Sequence, residues 1–236
     1  MAIIHAALML AFSISIGKPF ASDDEYKKIE EYVFKAKTIQ ALKEIKTDGT
    51  DPLGKFQAAL VYYRYGNMTT NVSYTKKSVK LLTDLCKSEK NVYTYTYLGV
   101  AYATLAQFDP DPFKKIEAGT QAKTMFELAV KRFPDHYLPR FYRAMIYLFL
   151  PGFAGGDEKT GLNDMKFVIE KLPTSDARPE FKGFVYYIYG VYWGEKKNDY
   201  SAGLKYLELA KPFIEDPKFL ESYDKKVKEY KDKLKK

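Results

Sequence analysis

The chain holds a single cysteine, Cys86. An intramolecular disulfide is therefore impossible, and the fold must rest on its apolar core. Histidine is nearly as scarce, with only His5 and His136. Zinc and iron–sulfur sites fail on ligand count, so no metal and no cofactor is expected. His136 follows Pro134 at the start of an expected helix, where a solvated or capping role suits it. Arginine is sparse beside lysine, which argues against phosphate or base readout, where the guanidinium fork is preferred. The net charge is +8, yet residues 225–236, KKVKEYKDKLKK, carry +5 of it. The basicity is thus mostly a property of the tail, and a nucleic-acid partner is not expected.

Catalytic signatures are missing as well. The sequence contains no G-x-G-x-x-G, no P-loop, no H-E-x-x-H and no G-x-S-x-G, and it nominates no cluster of titratable groups, so we expect no enzyme. Gly155-Gly156-Asp157 precedes a helix but lacks the lysine and the strand of a phosphate loop, so it reads as a turn with an N-cap. Asp109-Pro110-Asp111-Pro112 offers too few oxygens for calcium. Asp111 as N-cap with Pro112 in the first turn accounts for it. Asn67-Met68-Thr69 and Asn71-Val72-Ser73 are glycosylation sequons, which matter only in a eukaryotic secreted protein.

What is present begins with an apolar run, AIIHAALMLAFSISIG, over residues 2–17. It is short for a membrane span, which needs roughly twenty residues, and it suits the core of a secretory signal peptide over residues 1–21. Ala21 is a cleavage point and Gly17 an alternative. Ser22 and Glu25 then form a capping box, so a mature chain over residues 22–236 would open on a helix. No integral membrane segment is expected in it, and an exported, periplasmic or secreted location follows.

Residues 91–107, NVYTYTYLGVAYATLAQ, alternate like a strand. At helical spacing, however, Tyr95, Leu98, Gly99 and Tyr102 match W-x2-L-G-x2-Y, followed by Ala122, Phe126, Ala129 and Pro134. The pattern recurs. Ala144-x2-Tyr147 precedes Gly161, Met165, Val168 and Pro173. Tyr186-x2-Tyr189-Gly190-x2-Trp193 precedes Ala202, Tyr206 and Leu209. A weaker copy has Ala59-x2-Tyr62, then Ser78, Leu82 and Leu85. The small residues allow two helices to cross closely, and the large ones fill the space beside the contact.

On these residues the chain resembles the tetratricopeptide-repeat family over roughly residues 50–217. The resemblance implies an all-α solenoid of about four helix pairs, at about 50–90, 91–134, 136–173 and 180–217. A helix over 23–46 and a cap over 218–236 would close the ends. The small residues at 59, 99, 144 and 190 are spaced by 40, 45 and 46 residues, against roughly 34 in the standard repeat. The excess falls in GNMTTNVSYTKK, AQFDPDPFKKIEAGT and PGFAGGDEKTG, expected as long loops along one edge.

In that family the first helix of each pair lines an inner groove. The matching positions are Phe56, Leu60, Thr96, Val100, Phe141, Met145, Tyr187 and Val191. Flanking turns add Leu53, Tyr63, Tyr93, Ala103, Leu138, Leu148 and Phe184. None is charged, which excludes the basic clamp that holds acidic peptide termini. Two readings stand side by side. In one, the groove takes a hydrophobic small molecule or lipid-like ligand, with a protein partner docking elsewhere. In the other, residues 23–46 fill the groove, and the chain is a pure protein–protein scaffold. The exported tetratricopeptide proteins that work beside TRAP-type transporters are similar in organisation, although this chain lacks the lipoprotein cysteine that members often carry.

Overall fold

The computed structural model describes residues 21–235; the expected signal peptide, apart from Ala21, lies outside them. Among the described residues there is no strand. The helices are α1 (Asp23–Lys35), α2 (Ile39–Lys43), α3 (Pro52–Thr69), α4 (Val72–Ser88), α5 (Val92–Phe108), α6 (Pro112–Arg132), α7 (Tyr137–Phe149), α8 (Glu158–Lys171), α9 (Pro179–Val191), α10 (Tyr200–Ala210) and α11 (Pro217–Leu234). A π-helical turn, Tyr192–Lys196, extends α9. No helix among the described residues is long and apolar enough to cross a membrane.

The starts of the helices are written in the sequence. The side chains of Ser22, Asp51, Asn71, Asn91, Asp111, Asp157 and Asp216 each accept a backbone N–H in the first turn of the helix that follows. Proline occupies the first turn of α3, α6, α9 and α11. The Ser22–Glu25 capping box is formed. His136 caps α7 through Nδ1, which accepts from the Leu138 N–H at 3.1 Å. Gly155 takes a left-handed φ of 92° before Asp157 caps α8. Both glycine–aspartate and aspartate–proline stretches are thus turns with caps.

Packing follows the chain. The pairs α3/α4, α5/α6, α7/α8 and α9/α10 are each in extensive contact, α5 also touches α3 and α7, and α11 covers α10. One close crossing answers the repeated motif directly. A Cβ on Gly99 would lie 2.5 Å from the Phe126 ring, and Phe126 is buried. The glycine of α5 is therefore the space that the phenylalanine of α6 fills. Burying such a ring stabilises the pair by roughly 1.5–3 kcal/mol. Ser78, Leu82 and Leu85, and likewise Gly161, Met165 and Val168, are buried as the pattern requires.

Three expectations need correction. First, residues 23–46 do not form one helix. The chain breaks at Ala36, whose ψ is 95°. The Arg64 guanidinium takes the carbonyls of Val33 and Ala36, both at 2.6 Å, satisfying the carbonyls at the break. Second, the extra residues between paired helices are largely not loops. They lengthen the helices, so α3 and α4 are joined by two residues, and α5 and α6 by three. Third, α10 is rotated by one residue. Gly203, Leu207 and Ala210 are buried, whereas Leu209 is exposed. Gly203 meets the Gly190 backbone closely, and Tyr230 of α11 lies over Gly203; only glycine allows both contacts.

Candidate functional site

Helix α5 is buried on nearly every side, and its surroundings divide the molecule. At one end α1 packs on α3 and α5. Tyr26 sets its ring edge-on to Phe56, with centroids 4.9 Å apart, and Phe34 lies against Tyr97 at 6.0 Å. Beneath them sits a polar cluster. Glu30 accepts from the Tyr97 hydroxyl and pairs with Arg178 at 3.3 Å. The Arg178 guanidinium lies 4.0 Å over the Phe34 ring. Burial alone would lower the affinity of Arg178 for its proton, but Glu30 and Tyr97 more than reverse this, and the group is held more firmly charged than usual. Burial first, then Glu30, pushes the Tyr97 hydroxyl far up. Two further ion pairs, Lys27–Asp176 and Lys37–Glu180, both 2.8 Å, join the α1 region to the start of α9.

Beyond α1 the packing opens into a cavity of about 890 Å³. From α3 come Tyr63 and Asn67, and from α5 Val100, Ala103, Thr104, Ala106 and Gln107. Helix α6 contributes Lys115, Ile116, Gly119, Thr120, Ala122, Lys123 and Phe126. Tyr142, Met145, Ile146, Phe149, Leu150, Ala154 and Phe184 complete it. The two threonine hydroxyls of the wall are each spent on their own helix. Thr104 donates to the Val100 carbonyl and Thr120 to that of Ile116, each at 3.0 Å. Tyr142 stacks on Phe126 at 5.6 Å, and burial pushes the Tyr142 and Tyr63 hydroxyls up, so both stay neutral. No carboxylate lines the cavity. Of the lining, Ile116 and Leu150 are exposed, and so are Phe113 and Phe153, which lie within a few residues of them in the chain.

The eleven residues expected to line one groove are not brought together. Tyr63, Val100, Met145 and Phe184 do line the cavity, as does Ala103. Phe56, Leu60 and Phe141 are fully buried, and Leu148 nearly so. Phe56 lies against α1, and Phe141 is enclosed by Tyr142, Phe181 and Phe184 at 5.1–5.8 Å. Tyr93 faces a smaller hollow of about 370 Å³ with His136, Tyr137 and Asp176. Tyr187 sits edge-on to Phe219 of α11 at 4.9 Å, and the Val191 carbonyl accepts from Tyr230, so α11 takes up that end.

Half of the missed wall residues come from the segments read as loops. Asn67, Ala106, Gln107, Lys115, Ile116, Gly119, Thr120 and Ala154 all belong to the insertions. A signal was available: positions 115, 119, 122 and 126 keep helical spacing through the insertion into the motif. No family model, no curated protein and no solved structure matches this chain.

Proposed function

We propose that the chain is an exported, non-enzymatic binding protein of tetratricopeptide-like solenoid architecture, whose central cavity takes a hydrophobic small molecule or lipid-like ligand. The cavity of about 890 Å³ carries this reading. It lies within the range of small-molecule sites, roughly 300–1,000 Å³, and has their mix of apolar walls and a few polar groups. The resemblance to proteins that work beside TRAP-type transporters suggests a role next to a transporter, with the exposed Phe113 and Phe153 as apolar surface for a protein partner.

A second reading has its own observation. Helix α1 fills the groove over Phe56 and Tyr97, as a scaffold with a filled groove requires. Native mass spectrometry of the protein purified without detergent separates the two. A stoichiometric apolar adduct, lost in Met145→Asp, supports the ligand reading. A bare protein mass sinks it and leaves the scaffold.

A further inference from the structure

The cavity has a direction. Val100, Phe126, Tyr142 and Phe184 form one end. Toward the turn between α5 and α6 the walls gain Asn67, Gln107 and Lys115. Lys115 precedes Phe126 by eleven residues on α6, about 16 Å along the axis at about 1.5 Å per residue. Lys123 lies on the wall between them, half-buried. Between these ends the α6 wall is kept thin by Gly119, where an added Cβ would meet only the Ala106 methyl at 3.8 Å.

The charge along this path has one sign. No acid lines the cavity; Glu117 of α6 is exposed and outside the lining, and three other nearby acids have partners of their own. Asp109 pairs with Lys76 at 3.1 Å, Asp111 caps α6, and Glu127 accepts from the Tyr147 hydroxyl at 2.5 Å. Among the described residues neither Lys115 nor Lys123 has a carboxylate partner; the Lys123 ammonium donates to the Gly155 carbonyl at 3.2 Å and lies 5.3 Å over the Tyr147 ring. A cationic head would be repelled here, whereas an anionic one meets two ammonium groups that no carboxylate neutralises, beside an apolar slot.

Resting on the reading of the cavity as a ligand site, we infer that its ligand is an anionic single-chain amphiphile. The tail lies between α5, α6 and α7, and the carboxylate-like head sits at the mouth beside Lys115, with Lys123 along the wall.

The test compares three probes of one chain length, each kept monomeric in solution: dodecanoate, dodecanol and dodecyltrimethylammonium. Each is titrated calorimetrically into the delipidated full chain. Dodecanoate should bind about tenfold tighter than dodecanol, and the cation weakest. In Lys115→Gln/Lys123→Gln, two partly solvated changes that leave the core intact, dodecanoate should lose about five- to tenfold while dodecanol is unchanged. Gly119→Phe should block all three. Equal affinities for the three probes, all abolished by Gly119→Phe, would overturn the anionic head and leave the cavity standing. Absence of binding by any probe to the wild-type chain would overturn both.

Discussion

Two stretches of the same inner surface have opposite fates. Around Phe56 and Tyr97 it is covered by α1 and closed by the Glu30–Arg178 pair. Around Val100, Met145 and Phe184 it walls a cavity. The residues in both places are apolar, and Phe56, Val100 and Met145 all stand beside the small residue of their own helix. The difference is the covering element: α1 ends at Lys35, its carbonyls drawn to Arg64, and so does not reach the second stretch. An apolar position becomes core or cavity wall according to what packs over it, and residue type alone is silent on that.

The sharpest break of the comparison uses two neighbouring positions on α7. Phe141→Asp places a charge where the side chain is fully buried among three rings. It should cost more than about 4 kcal/mol, or prevent folding. Met145→Asp, on the cavity wall, should cost on the order of 1 kcal/mol, because water can reach the new carboxylate. Urea denaturation followed by circular dichroism compares them, and equal losses would mean the cavity is closed in solution.

Next in size is the polar seal of the covered end. Glu30→Ala removes the acceptor shared by Tyr97 and Arg178, leaving the buried guanidinium only the longer Glu180 contact at 4.0 Å, and should destabilise the protein by about 3 kcal/mol. If the melting temperature stays put, the pair does not hold α1 in place.

Acid probes the same end. Burial holds the His136 imidazole down at about 4 from an ordinary 6.5, with Asp176 opposing; its ring packs on Tyr93 and Tyr137. Below pH 6.5 the unfolded chain takes a proton that the folded chain refuses until about pH 4. Stability therefore falls as pH drops through that window, and the loss is complete below it, at up to about 3 kcal/mol. His136→Asn keeps a capping side chain and should flatten this part of the stability–pH curve. Parallel curves for the two proteins between pH 7 and 4 would show the ring to be free of that burial.

The smallest contrast sets two glycines against each other. Gly99→Ala pushes a methyl into Phe126 and should cost about 1–3 kcal/mol. Gly119→Ala meets only ordinary contact with Ala106 and should gain roughly 0.5–1 kcal/mol from reduced backbone freedom in the unfolded chain. Opposite signs in thermal melts would mark the packed and open sides of the α5/α6 hairpin.

The parts readable from the sequence share a property: they are local or pairwise. The caps at Ser22, Asp111 and Asp157 act over three residues, and the Gly99–Phe126 crossing joins one hairpin. The stripe of α10 was misread because Ala202, Tyr206 and Leu209 are as apolar as Gly203, Leu207 and Ala210. The choice between them was made by Gly190 across the helix pair and Tyr230 from α11. Of the candidate site, Tyr63, Val100, Met145 and Phe184 were found through the repeat pattern, whereas the walls on α6 were hidden by reading an extended helix as a loop.

By itself the sequence determined the helical class, several helix starts and the order in which neighbours pair, because hydrogen-bonding caps and helical periodicity operate within a few turns. Only the tertiary structure decided which apolar face is covered, since that depends on where α1 stops and on Glu30 finding Arg178 across 148 positions of chain. Such contacts reflect the geometry of the assembled helices, and no local residue pattern encodes that geometry.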